Sequence, residues 1–380
     1  MTFRYRARLA VATLLTLVVA GAGLGSAGSA GAQPAHHRPH RQLTVMTQNL
    51  YLGSPLDPAL SATTPTEFVT AVAQIYGTAV ATDFPKRAQA IADTVAAEDP
   101  DLVGLQEVTK WIAQPLVAGA NPPSYDFLKI LRAALAERGL HYRVAAVSRN
   151  ADIGPAPLVS PTFGCGVPTS PTTPQCVVTL QDRDVILVNR DTRHLYVRHS
   201  RSGDYKTQLE FTPPESVPVS FARGWAAIDA SYFGTRFRFL TTHLEIEQFA
   251  PVQEAQAREF LRGPAHVWRP VIAVGDFNSP ADPATTSTPT ATYSLLTKRW
   301  FHDAWNVNGD DPGLTCCQNG TLSNPTSQLK TRIDLVLAHG WVRSLSAHVV
   351  DDEVIDTTPP LWPSDHAGVV ATLRLPRPHH

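Results

Sequence analysis

From Leu43 onward the chain alternates strand-length apolar runs with stretches of helical spacing. LTVMTQNL (43–50), DLVGLQEV (101–108) and YRVAAV (142–147) are apolar runs of strand length. Helical patterns near Pro85–Glu98 and Tyr125–Arg138 separate them, and this β-α-β-α-β order predicts an α/β fold in the first third. Closely spaced β runs follow: DVILVNRD (184–191), HLYVRHS (194–200), VPVSFARGWAAIDASY (217–232) and TRFRFLTTHLEI (235–246). Such short separations predict antiparallel pairing. A helix near Pro251–Arg262 precedes the apolar strand PVIAVGDFN (270–278). The chain closes with RIDLVLAHG (332–340), SLSAHVV (344–350) and AGVVATLRL (367–375).

Breaks in this pattern mark loops. Six prolines (Pro155, Pro157, Pro161, Pro168, Pro171 and Pro174) predict a long loop over 151–178. Segments 279–293 and 308–330, rich in Thr, Ser, Pro, Gly and Asn, read as surface loops. With no internal repeat or composition break, residues 43–376 are expected to form one domain.

The first 32 residues follow another logic. Arg4, Arg6 and Arg8 precede an apolar run from Leu9 to Leu24, and small residues lead to Ala30-Gly31-Ala32. That order is a secretory signal peptide, and its run is too short and glycine-rich for a membrane span. Residues 33–42, rich in Pro and His, read as a disordered leader. No later segment is apolar enough for a transmembrane anchor, so a secreted protein is expected.

Composition adds two constraints. Hydrophobic residues at 43% and charged residues at 17% fit neither a disordered chain nor a coiled coil. The balance of 32 Lys+Arg against 33 Asp+Glu gives −1; losing the three leader arginines leaves 29 against 33, or −4. A strongly basic nucleic-acid footprint is thus absent overall, though a local patch is compatible with it. Cys165, Cys176, Cys316 and Cys317 suit structural disulfides in an oxidising compartment, and their spacing is not that of a zinc site. Three pairings are open: Cys165 and Cys176 are near enough to clip a loop, whereas Cys316 and Cys317 either bridge each other or reach the first pair.

The candidate chemistry stands at the ends of apolar runs. Asn49 ends LTVMTQN, Glu107 ends DLVGLQE, His243 ends FRFLTTH, Asp276 and Asn278 follow PVIAVG, Asp334 opens DLVL, and Asp365-His366 precede AGVVATL. Singly, each has an ordinary structural role: a turn or cap for Asn49, an Asx turn for Asp276–Asn278, a surface ion pair of Asp334 with Arg332. Together they supply hard oxygen ligands suited to Mg²⁺ or Mn²⁺ and two histidines able to move protons or hold a phosphate. That set fits hydrolysis of a phosphate ester.

In chain order, QNL, LQEV, ARGWAAID, TTHLE, GDFNS, RIDLV and SDH resemble the endonuclease/exonuclease/phosphatase superfamily, the deoxyribonuclease I-like fold, over roughly Leu43 to Leu375. The resemblance implies an α/β (α+β) four-layer sandwich: two central mixed β-sheets packed face to face and flanked by helices. It implies Glu107, Asn49 and Asp365 at a metal, with Glu107 the principal ligand. Asp276 and Asn278 would position water and phosphate. His366 would be the general base, oriented by Asp334. His243 would bind the scissile phosphate or serve as general acid. Arg223 would contact phosphate, with a plain surface-strand arginine as the alternative. Asp182 would orient His243, a role for which Asp184 competes.

The implied enzyme is a metal-dependent phosphodiester hydrolase acting as a monomer on nucleic acid or a phospholipid head group, with a nuclease favoured. A sphingomyelinase-like phospholipase C is the alternative, and a non-catalytic secreted binding protein on the same fold a third. The leader reading makes a direct prediction. Expressed with its own leader in a secreting host, the mature chain should begin at Gln33 by N-terminal sequencing; an exported chain still beginning at Met1 would contradict it.

Overall fold

The computed structural model describes residues 41–160, 162–165, 173–212 and 219–378. The expected signal peptide and all but the last two residues of the expected leader lie outside them. Those two residues depart from the expectation, because Gln42 already opens the first strand and pairs with Arg374.

The apolar runs form two mixed sheets. The larger has the order Arg343–Val350, Gly368–Arg374, Gln42–Asn49, Leu102–Gln106, Cys176–Asn189, Lys110–Pro115 and Tyr125–Asp126, with Tyr142–Leu158 paired to Cys176–Asn189. The smaller runs His302–Asp303, Asp334–His339, Val271–Asp276, Thr235–His243, Gly224–Tyr232 and Leu195–Asp204. Gln42–Asn49 pairs in parallel with Leu102–Gln106, and Thr235–His243 with Val271–Asp276. Of the closely spaced runs, Gly224–Tyr232 pairs antiparallel with Leu195–Asp204 and Thr235–His243 as expected, whereas 184–191 lies in the larger sheet, antiparallel to Leu102–Gln106 and Tyr142–Leu158.

The two sheets face each other across a core that joins Val45, Leu102 and Ile186 to Ile228, Phe239, Ile272 and Val336. Met46, Val103 and Leu105 point to the other side of the larger sheet, under helices Pro65–Ala81, Phe84–Glu98 and Phe127–Glu137. Leu240, Ala273, Leu335 and Leu337 do the same under Ala250–Arg262 and Thr292–Thr297. The result is the helix–sheet–sheet–helix sandwich, and it explains why the central strands read as unbroken apolar runs.

Close approach of the sheets is written into Gly104, where a Cβ would collide with Val274 and press on Thr241. Beside it Gln106 Nε2 donates across the gap to Thr241 Oγ1 at 2.7 Å, and Gln106 Oε1 accepts from Thr47 Oγ1 at 3.1 Å.

Two expectations need correction. The loop expected over 151–178 is shorter, because Tyr142–Leu158 continues as one long strand through Pro155 and Pro157, and Cys176 begins the next. Pro155 sits in the register shift between Ile153 and Ala156, where no ladder bond is needed, while Pro157 is in register opposite Val177 on a strand paired along one edge only. The run over 217–232 is not one strand: Val219–Phe221 closes a short hairpin with Leu209–Phe211, and Gly224–Tyr232 starts anew after Arg223. The cysteines pair as Cys165–Cys176 and as the adjacent Cys316–Cys317.

Asp351, just past the strand Arg343–Val350, ties that edge to a helix by accepting from Thr94 Oγ1 at 2.6 Å, while its Oδ2 has no partner. Burial pushes its carboxyl up to about 7. A raised acid is stabilising while protonated, so stability from this group is complete below the unfolded pKa of about 4 and lost as pH rises through about 7. Asp351→Asn keeps the acceptor and removes the buried charge. Its melting temperature should exceed the parent's at pH 8 and converge with it below about pH 4; a variant equally destabilised at both pH values would contradict this.

Candidate active site

Register gathers the polar strand ends. His243 lies opposite Asp276, and Asp276 opposite Asp334, so three functional side chains stand abreast on neighbouring strands of the smaller sheet. In the larger sheet Asn49 lies opposite Gln106, which puts Glu107 at the same end. The Ser364–His366 turn enters from the neighbouring strand: Ser364 Oγ donates to Asn49 O at 2.8 Å and accepts from His366 N–H at 3.2 Å.

Backbone strain accompanies this convergence. Glu107 (φ 53°), Asn278 (φ 49°) and Tyr51 (φ 61°) all occupy the left-handed region, which non-glycine residues adopt only when their surroundings hold them there. Those surroundings are visible. Leu52 N–H donates to Glu107 Oε2 at 2.5 Å, and Tyr51 N–H donates to Asn49 Oδ1 at 2.9 Å. Asn278 N–H donates to Asp276 Oδ1 at 2.9 Å, while its carbonyl accepts from Gln253 Nε2 at 2.6 Å. Gly275 (φ 149°) leaves no room for a Cβ against the Thr242 carbonyl, which lets the strand deliver Asp276.

Two histidines flank Asp276. His366 Nδ1 lies 2.8 Å from Asp334 Oδ2 and 3.8 Å from Asp276 Oδ2. Burial opposes charge on this imidazole, but Asp334, Asp365 and Asp276 together hold its pKa well above the ordinary value. Its Nε2 faces Cys317 Sγ at 3.8 Å, so the Cys316–Cys317 bridge walls the site beside that nitrogen. His243 is the opposite case. Burial, then Arg223 and His366, push it well below the ordinary value, which leaves it neutral at pH 7. Arg223 Nη1 donates to its Nδ1 at 2.9 Å, and its Nε2 faces Asn278 Nδ2 at 3.0 Å and Asp276 Oδ2 at 3.5 Å.

Carboxylates dominate the electrostatics. Burial, then Asp365 and Asp182, push Glu107 up to about 8; burial, then Asp334, push Asp276 up to about 7. Asp365 is raised too, by burial first. Asp276, Asp334 and His366 bring ligand atoms within 4.8 Å of one another, as do Asp182, Asp184 and His243. Asp334 Oδ1 is buried without a partner. Carboxylates that repel one another in a low-dielectric site, with oxygens to spare, form a donor set that suits a hard divalent cation.

All the residues expected at the site from the sequence are thus at one end of the sandwich. Asn49, however, bonds Asp276 rather than standing beside Glu107 alone, Nδ2 donating to Oδ2 at 3.1 Å. Arg223 is not an exposed strand residue: it is largely buried before the strand, 3.6 Å from Glu245. Asp182 accepts its hydrogen bond from Asn150 at 3.2 Å, whereas His243 takes its hydrogen bond from Arg223 at Nδ1 and faces Asp276 through the protonated Nε2. Asp184 has neither oxygen partnered, and burial, then Asp182, raise its pKa well above the ordinary value.

One site-building residue escaped the sequence reading. Arg87, fully buried, donates through Nη1 to Leu50 O at 2.6 Å and Pro363 O at 3.0 Å, and through Nε to Thr82 O at 2.9 Å. It locks the loop after Asn49 to the loop before Asp365 and brings positive charge beneath Asp365 and Glu107. Its signal was present: Arg87 shares the buried stripe of its helix with Phe84, Ala88, Ile91 and Val95, where a cation is out of place unless it has a task.

The sequence profile of the Endonuclease/Exonuclease/phosphatase family matches residues 46–366. The chain belongs to this family. Its fold is shared by mannosyl-6-phosphatase Bt3783 of Bacteroides thetaiotaomicron VPI-5482 at 17% identity and TM-score 0.54, covering 88% of this chain and 100% of that one. A humanized D. rerio TDP2 carrying 14 mutations matches at 14% identity and TM-score 0.52, covering 88% and 100%. D. rerio TDP2 complexed with a single-strand DNA product matches at 15% and 0.52, covering 88% and 99%. Comparison with curated protein sequences finds no match.

Family members are generally dependent on divalent metal, and the carboxylates here fit one. Calorimetric titration with Mn²⁺ should show a site that Glu107→Gln or Asp365→Asn weakens beyond the roughly 10–100-fold cost of losing an outer-shell partner. Unchanged affinity in folded variants would remove these residues from the metal site.

Proposed function

We propose that the chain is a secreted phosphodiesterase that hydrolyses nucleic acid with Mg²⁺ or Mn²⁺, and that it works as a monomer. The observation that carries this is the row His243–Asp276–Asp334, completed by His366 on Asp334 at 2.8 Å. In this reading Glu107, Asn49 and Asp365 hold the cation. Bound there, it would offset the carboxylate charge and polarise a non-bridging phosphate oxygen.

The protein groups divide the remaining work. Asp334 accepts a hydrogen bond from Nδ1–H of His366, and a cation among the carboxylates that hold this imidazole protonated would offset their charge, which would free Nε2 to accept a proton from water. Asp276, held by Asn49 and the Asn278 amide, fixes the water, and Asn278 donates to the phosphate. The lowered pKa of His243 favours phosphate binding over the general-acid role, because a neutral imidazole still donates a hydrogen bond but has no surplus proton to give. Arg223 adds a fixed positive charge on the same side. Positioned donors of this kind each contribute about 10²–10³ in rate.

One observation favours a second reading. An apolar cleft lined by Leu56, Phe68, Trp111, Ile153, Phe211 and Phe221 adjoins the site, for Trp111 Nε1 donates to Leu52 O at 2.7 Å and Leu52 N–H donates to Glu107. At about 70 Å³ that cleft would admit a short apolar segment next to a lipid head group in a sphingomyelinase-like phospholipase C. Parallel assays with plasmid DNA, RNA, sphingomyelin, phosphatidylcholine and bis(p-nitrophenyl) phosphate separate the two. Metal-dependent cleavage of nucleic acid, lost by about 10²–10⁴ in His366→Ala, is the expected result. Cleavage of lipid alone would establish the second reading; no cleavage and no metal binding would leave a binding protein.

A further inference from the structure

The three strands that carry His243, Asp276 and Asp334 have their other ends at a second, different surface. There a groove of about 1070 Å³ is lined by three tryptophans, Trp268, Trp300 and Trp341, and three arginines, Arg236, Arg269 and Arg377. Trp268 is fully exposed and Trp341 86% exposed. Among the described residues no Asp or Glu lines the groove, in a chain whose net charge is −1. Arg269 lies 3.4 Å from Asp229, but Arg238 already engages that carboxylate at 2.7 and 3.0 Å, so the arginines outnumber the one acid they share. On the floor Trp300 stacks on His339 at 4.6 Å and 9° between planes.

Guanidinium groups alternating with aromatic faces are what a single nucleic-acid strand requires: cations follow the phosphates while unstacked bases lie on the rings. Two other occupants fit less well. A neutral glycan uses tryptophan platforms but gives three arginines nothing to pair with. A membrane would need the apolar groups on a protruding face, whereas these rings line a concavity among arginines. We propose that this groove is an anchoring site for single-stranded nucleic acid, distinct from the phosphoester site. Spanned by six- and nine-residue strands, the two lie roughly 20–30 Å apart. Anchoring there deepens the nucleic-acid reading above, on which only the cutting of the anchored strand rests.

The test measures binding with turnover disabled, so that the two readings fail separately. The His366→Ala protein in EDTA is titrated with a 20-nucleotide oligothymidylate, following tryptophan fluorescence and anisotropy. Quenching is expected, and adding Trp268→Ala with Trp341→Ala should weaken binding at least tenfold. Arg236→Ala and Arg377→Ala should each lower the slope of log affinity against log salt by about 0.7. In the catalytically intact protein, the tryptophan substitutions should leave hydrolysis of bis(p-nitrophenyl) phosphate unchanged. Polyphosphate, a polyanion without bases, should bind more weakly and without quenching. Equal affinity for polyphosphate, unchanged oligonucleotide affinity in the tryptophan variant, or tryptophan-dependent binding to phosphatidylglycerol vesicles in place of the oligonucleotide would overturn the proposal.

Discussion

Among the described residues, carboxylates crowd one buried end of this sandwich: Glu107, Asp182, Asp184, Asp276, Asp334 and Asp365, with Glu245 beside them. Placing that much negative charge in a poorly polarisable interior costs several kcal/mol per ion unless it is neutralised. The surrounding architecture answers this demand. Arg87 sits beneath Asp365 and Glu107, Arg223 lies beside Glu245 and His243, and His366 is held charged by Asp334, Asp365 and Asp276. Even so, Glu107 and Asp276 stay pushed up to about 8 and about 7. The compensation inside the chain is therefore incomplete, and a divalent cation is the natural complement.

Such a cluster holds its shape only on a rigid frame. One half of the site comes from each sheet, so the distance between Asn49 and Asp276 is set by the packing of the sheets themselves. Gly104 permits that packing, and the Gln106–Thr241 bond pins it just below the site. The left-handed backbone at Glu107 and Asn278 is tolerated for the same reason, since hydrogen bonds from both sides over-determine it.

Much of this was legible from the chain alone. Strands buried on both faces read as unbroken apolar runs, and polar residues at their ends marked the site, because a side chain there has no apolar partner to face. The motifs' order then implied the four-layer sandwich that the fold shows. What the pattern could not carry was partnership between distant residues. Asn150 with Asp182, Arg223 with His243 and Arg87 with two loop carbonyls depend on which strand lies beside which. The strand through Pro155 and Pro157 was hidden because proline argues against a ladder in general but not at a register shift, where Pro155 sits, or on an edge strand such as this one. The cationic, aromatic groove was hidden too: its residues come from five separate segments in a chain with an overall acidic balance.

The measurement that tests the account most directly is the number of protons released when Mn²⁺ binds. It is obtained by calorimetry at pH 7 in buffers of different ionisation enthalpy. If Glu107 is protonated at that pH because burial and then its carboxylate neighbours disfavour its charge, binding must expel at least about one proton. The count should fall toward zero above pH 9, and Glu107→Gln should lower it at pH 7. Tight binding with no proton release at pH 7 would mean that the cluster is already ionised and balanced within the chain, and would contradict the central claim.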